Sequence, residues 1–130
     1  MIKILIAEDE RDIRELIAFS LQGLGGFNVV LASNGVEAVE RAMAEIPDLI
    51  LMDVRMPRMT GYDACKKLKE NDSTKSIPVI FLSAKGQDQE IQQGLAAGAE
   101  EYILKPFAPD ELVNQVRSVL KRIGKHDVAP

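Results

Sequence analysis

The chain has 130 residues, 46% apolar and 28% charged, with 16 basic against 20 acidic residues and a formal net charge of −4. That size and balance fit one domain with one packed core and argue against disorder, while the net negative charge gives no help in binding a polyanion, so a DNA-binding role would need a second domain. The single Cys65 can form neither an internal disulfide nor a C-x-x-C metal knuckle, which fits a reducing, cytoplasmic setting, and residues 1–7 are too short an apolar run for a secretion signal or a membrane span.

Residues 2–7 (IKILIA) predict a strand. The acidic stretch EDERD then leads into a helix whose buried face follows the i, i+3, i+4, i+7 spacing at Ile13, Leu16, Ile17, Ser20, Leu21 and Leu24. Gly23, Gly25 and Gly26 stop it. Residues 27–31 (FNVVL) predict a second strand, and Asn34 can cap a helix with an apolar face of Val36, Val39, Met43 and Ile46, ended by Pro47. Residues 48–53 (DLILMD) are nearly continuously apolar and too short for a typical helix, the pattern of a central parallel strand covered on both faces, with Asp53 at its carboxyl end. The loop VRMPRMTG precedes a short helix over about 61–70, residues 71–77 form a polar connection, and residues 78–82 (PVIFL) predict a fourth strand with Pro78 tolerated as its first residue.

The alternation continues with a helix over about 87–97 broken by Gly98, a strand at 101–104 (EYIL), Lys105-Pro106, and a last helix marked by Leu112, Val116, Val119, Leu120 and Ile123. Five strand-helix units imply an α/β fold: an open parallel sheet with helices on both faces and right-handed crossovers. Residues 124–130 (GKHDVAP) lack periodicity and predict a flexible tail or the start of a linker. His126, alone in that tail, is no metal or catalytic candidate. Phe107 is expected beneath the last helix, and Cys65 on the inward side of the third, as a small hydrophobe.

Chemistry in such sheets collects outside the carboxyl ends of the strands. Glu8 and Asp9 follow the first strand and Asp53 ends the third, so three carboxylates converge if those strands are neighbours. Their mutual repulsion is tolerable mainly beside a cation, and an all-oxygen set completed by water suits Mg²⁺, with Mn²⁺ the next candidate. A second account has Glu8 and Asp9 merely favouring the N-terminus of the first helix. Ser83 and Lys105 lie on the same rim after the fourth and fifth strands. Alone, Ser83 reads as a cap and Lys105 as a solvated cation; together with a divalent metal around one carboxylate, they suit a phosphoryl group moving onto that carboxylate.

At these residues the chain resembles the receiver domain of bacterial two-component response regulators, the CheY-like phosphoacceptor family. The matching pieces are Glu8-Asp9, residues 48–63 (DLILMDVRMPRMTGYD), 79–84 (VIFLSA), Gly98-Ala99 and 102–107 (YILKPF). The resemblance implies a five-stranded sheet in the order 2-1-3-4-5 with five helices, a receiver domain over residues 1–123, and a phosphoryl group accepted on Asp53 from a histidine kinase, a phosphotransfer protein or a small phosphodonor. It implies Mg²⁺ held by Glu8, Asp9, Asp53 and the backbone carbonyl of Arg55; many members carry Asp-Asp where this chain has Glu-Asp. It further implies a cis Lys105-Pro106 bond, a switch running through Ser83 and Tyr102, and control of phosphoryl lifetime by Arg55 and Lys85. The face of the fourth helix, fifth strand and fifth helix would bind a downstream protein or output domain, or form a homodimer. Such a domain promotes its own phosphorylation and dephosphorylation, yet is primarily regulatory. Two alternatives stand beside it. One is a phosphorylation-independent protein-interaction module on the same fold. The other is a flavin-binding or hydrolytic enzyme, against which no glycine-rich phosphate loop follows the first strand.

Overall fold

Strands with almost no polar residue along their length can only be stable where both faces are covered. In the computed structural model, which describes residues 1–84, 92 and 94–124, such strands make the middle of the sheet. The elements are β1 (Lys3–Ala7), α1 (Arg11–Phe19), β2 (Asn28–Ala32), α2 (Gly35–Glu45), β3 (Leu49–Asp53), α3 (Gly61–Glu70), β4 (Val79–Ala84), β5 (Glu101–Lys105) and a C-terminal helix (Pro109–Arg122). All neighbouring strands are parallel, in the order β2-β1-β3-β4-β5. β3 is buried at every position.

Alternate residues of each strand feed two cores. On one face Ile4, Ile6, Leu49, Leu51, Ile80, Leu82 and Ile103 pack against Ile17 and Leu21 of the first helical segment and Leu112, Val116, Val119 and Leu120 of the C-terminal helix. On the other, Leu5, Ala7, Ile50, Met52, Val79 and Phe81 pack against Ala38 and Ala42 of α2 and Tyr62, Ala64, Cys65 and Leu68 of α3. Cys65 is buried, as expected of a small hydrophobe. Phe107 is partly buried against the first core.

Several elements differ in detail from the periodicity. The first helix changes at Ser20 into a π-helical turn over Ser20–Leu24. There the Ser20 hydroxyl donates to the Leu16 carbonyl at 2.7 Å, a back-bond of the kind that bends helices, and Gly23 lies within the turn. Leu24 in that turn and Leu16 on α1 before it are exposed rather than part of the buried stripe. The buried stripe of α2 is Gly35, Ala38 and Ala42; Val36 and Val39 are partly buried, while Met43 and Ile46 are exposed. Small residues there let α2 approach the sheet and α3, which a face of larger side chains would hold apart. Asn34 caps α2 as expected, its Oδ1 accepting from Glu37 N at 2.8 Å. β2 starts one residue late, at Asn28, and Pro78 lies just before β4, its carbonyl accepting from Ile50 N at 2.9 Å. The 71–77 connection is not wholly polar in its packing: Ile77 is buried, and so is Thr74, whose hydroxyl donates to the Leu68 carbonyl at 2.7 Å.

Residues 94–96 are helical and end in a Schellman turn: Ala99 N donates to the Gly94 carbonyl and Gly98 N to the Leu95 carbonyl, both at 3.1 Å. Gly98 supplies the left-handed residue this turn needs, with φ 105°. The expected start of that helix, Lys85, and residues 125–130 with His126 lie outside the described residues. No helix among the described residues is long and apolar enough to cross a membrane.

Candidate functional site

The polar residues meet where β1 and β3, adjacent in the sheet, reach their carboxyl ends. Glu8 follows β1 directly, its N–H donating to the Ala32 carbonyl at 3.1 Å, and its side chain is fully buried. The Arg14 guanidinium donates to the main-chain carbonyls of Glu8 at 2.8 Å and Asp9 at 3.4 Å, pinning the loop back onto α1. α1 itself begins only at Arg11, and Asp12 is the acidic residue of its first turn. Glu8 and Asp9 therefore precede the helix, and favouring its N-terminus does not account for a side chain as buried as that of Glu8.

Asp53 ends β3 and is 7% exposed. One carboxylate oxygen from each of Glu8, Asp9 and Asp53 lies within 4.8 Å of the others. Lys105, at the end of β5, bridges two of them, with Nζ 3.2 Å from Asp53 Oδ2 and 3.3 Å from Glu8 Oε1. Glu8 Oε2 is buried with no hydrogen-bond partner among the described residues. Burial, reinforced by the neighbouring Asp53 carboxylate, pushes the Glu8 carboxyl up to about 8, against the opposing pull of Lys105. For the Lys105 ammonium, burial acts downward, and the charges of Asp53 and Glu8 outweigh it and raise the pKa. Three carboxylates beside Lys105, one of them with an oxygen that has no hydrogen-bond partner among the described residues, make a set of hard ligands suited to a small divalent cation.

The remaining residues predicted for the site take the following places. Ser83 is buried near the end of β4, next to Leu82, the Cα partner of Asp53 across the β3–β4 pair. Arg55 lies two residues beyond Asp53 and is exposed. Tyr102 is half-buried on β5 opposite Phe81; their rings are 5.8 Å apart at 46°, and Phe81 meets Tyr62 edge-on at 5.4 Å. The Lys105-Pro106 peptide bond is cis. Beside Lys105 an apolar groove of about 360 Å³ runs between Ile13 and Leu16 of α1 and Pro106 and Phe107. Arg14 had no sequence signal, since a helical arginine in a charged stretch looks like any solvated cation.

Residues 4–117 match the family model described as the response regulator receiver domain. The chain is 42% identical over 124 residues to the phosphate regulon transcriptional regulatory protein PhoB of Pseudomonas aeruginosa, covering 95% of this chain and 54% of that protein. It thus spans about half the length of the curated relatives it matches. Among solved structures it resembles the chemotaxis response regulator CheY4 of Vibrio cholerae, at 33% identity and TM-score 0.87, covering 92% of this chain and 99% of that one. It also resembles the receiver domain of the sensor histidine kinase PA1611 of P. aeruginosa, solved with a magnesium ion coordinated in its active-site cleft, at 33% identity and TM-score 0.82, covering 94% and 97%.

Proposed function

This chain belongs to the response regulator receiver family, and from that premise we propose that it is a cytoplasmic signalling module that accepts a phosphoryl group on Asp53 in a Mg²⁺-dependent reaction. The donor is a phosphohistidine of a partner kinase or phosphotransfer protein. The observation that carries this reading is the nearly buried Asp53 carboxylate, held 3.2 Å from Lys105 Nζ and within 4.8 Å of ligand oxygens on Glu8 and Asp9.

Glu8, Asp9, Asp53 and the backbone carbonyl of Arg55 would hold the metal. Their oxygens suit a hard cation, and the unpartnered Glu8 Oε2 leaves room in the hydrogen-bond inventory for one. When bound, Mg²⁺, with Mn²⁺ as the substitute, supplies positive charge to the oxygens of the transferring group. An Asp53 oxygen attacks phosphorus in line, forming the P–O bond as the P–N bond to the donor imidazole breaks, and the imidazole nitrogen keeps the electron pair. Lys105 begins beside the attacking carboxylate, so its ammonium follows the charge as it passes to phosphoryl oxygens. The Ser83 hydroxyl donates to one of those oxygens. Its inward movement opens space for the Tyr102 ring, altering the face of the fourth helix, β5 and the C-terminal helix. That face docks a downstream protein or output domain, or a second copy. Arg55 and Lys85 set how easily water reaches the acyl phosphate and hence its lifetime.

Incubation with acetyl phosphate, with and without Mg²⁺, followed by mass-spectrometric mapping, tests the reading. Asp53 should be labelled only with the metal present, and Asp53→Asn should carry no label. Mapping of the label to another residue, or labelling indifferent to Mg²⁺, would overturn the assignment.

A further inference from the structure

Glycine inside a helix is disfavoured relative to alanine, because it loses more backbone freedom on ordering and packs nothing. Where its φ is not left-handed, another reason is needed. Gly98 has its reason in a φ of 105°, but Gly94, buried in the helical turn just before it, has no such backbone requirement. The reason at Gly94 is space. A Cβ there would overlap the hydroxyl oxygen of Tyr102 and fall 2.7 Å from Tyr102 Cζ and 2.8 Å from Phe81 Cδ2. The Tyr102 ring, tilted against Phe81, thus runs its hydroxyl end straight onto the helix main chain.

We propose that Gly94 is the positioning residue for Tyr102: its missing side chain is the seat that receives the hydroxyl end of the half-buried ring beside Phe81, on the sheet face that also carries Ser83, and the deeper burial assigned to the switch needs the same space. Any side chain at 94 turns the ring outward. Phe81 cannot absorb the intrusion, since it is fully buried and braced edge-on by Tyr62. The seat stands on packing alone; its consequence for signalling rests on the switch proposed above for Ser83 and Tyr102.

The chain has two tyrosines and no tryptophan, so a Tyr62→Phe parent leaves Tyr102 as the fluorophore. Adding Gly94→Ala should raise iodide quenching of Tyr102 by about twofold or more, because an overpacked ring must leave its site. Unchanged quenching would overturn the seat. Thermal midpoints give a second readout that does not depend on the fluorophore: Gly94→Ala should cost much less in a Tyr102→Ala background, and equal losses in the two backgrounds would also overturn it. With acetyl phosphate and Mg²⁺, the Gly94→Ala protein should be labelled at Asp53 as the parent is, yet lose the change in Tyr102 quenching that labelling causes in the parent. Equal changes in both proteins would refute the seat. A parent that is labelled without any change at Tyr102 would instead refute the switch, leaving the seat to the first two measurements.

Discussion

The two faces of the sheet are built from different materials. The face under α1 and the C-terminal helix is filled with branched aliphatics, among them Ile4, Ile6, Ile17, Leu51, Val116 and Leu120. The face under α2 and α3 mixes branched aliphatics such as Leu5, Ile50 and Leu68 with small, thioether and aromatic side chains: Ala38, Ala42, Ala64, Cys65, Met52, Met56, Tyr62 and Phe81. Branched side chains have few rotamers and lock a helix to a strand, whereas small ones set close approach and Met adapts to its neighbours. Stiffness from branched side chains is therefore concentrated on one side and close approach on the other. The residues assigned to switching, Tyr102 with Phe81 and Gly94, belong to the closely approached side.

Removing bulk from the stiff face should do the most damage. Ile17→Ala is expected to cost about 2–5 kcal/mol in urea unfolding, with Asp53 labelling retained. A cost below about 1 kcal/mol would show that the aliphatic face can collapse around a void, and the contrast would be lost. Adding bulk to the other face should cost less: Ala42→Leu is expected to lose about 1–3 kcal/mol by forcing α2 away from its neighbours. A neutral result would mean that α2 is not held close.

At the rim where the faces meet, pH provides the probe. The Glu8 carboxyl is raised from 4.5 to about 8, so between those values the folded state binds a proton more tightly than the unfolded chain does. Metal-free protein should therefore lose stability as pH rises through that window, Glu8→Gln should lose less, and Mg²⁺ should offset the loss by binding the ionised form. Parallel stability profiles for wild type and Glu8→Gln would contradict the burial described for this carboxyl. The smallest effect is expected at the end of α2, where Ile46 holds a left-handed φ of 44°. Ile46→Gly should raise stability by about 1 kcal/mol, the relief of that conformation less the added freedom of the unfolded chain. Calorimetry showing a loss would mean that the exposed Ile46 side chain contributes more packing than its position suggests.

These differences also mark what is legible in the sequence. The run Leu49–Asp53 declares a central strand because it has no polar alternation, and Asn34 declares a cap because its side chain can replace a missing helical partner. Glu8, Asp9, Asp53, Ser83 and Lys105 stand out as polar residues at strand ends, which a doubly wound sheet gathers on one rim. The stripe of α2 is illegible because alanine and glycine carry almost no hydrophobic signal, so the larger Val36, Val39, Met43 and Ile46 outweigh them in any pattern. The π-helical turn carries a back-bond from one hydroxyl to the Leu16 carbonyl, and the anchoring by Arg14 depends on main-chain carbonyls, which no side-chain pattern records. Full burial of Glu8 follows from the closing of β1 against both β2 and β3.

The aliphatic core joins the beginning of the chain to its last helix, and Arg117 reinforces that union by donating to the carbonyls of Leu24 and Gly25, both at 3.3 Å. During synthesis, the part of β1 and α1 that the C-terminal helix covers stays uncovered by it until the residues from Leu112 onward have emerged. Closing that core therefore waits on contacts of high sequence separation, the slow kind in folding.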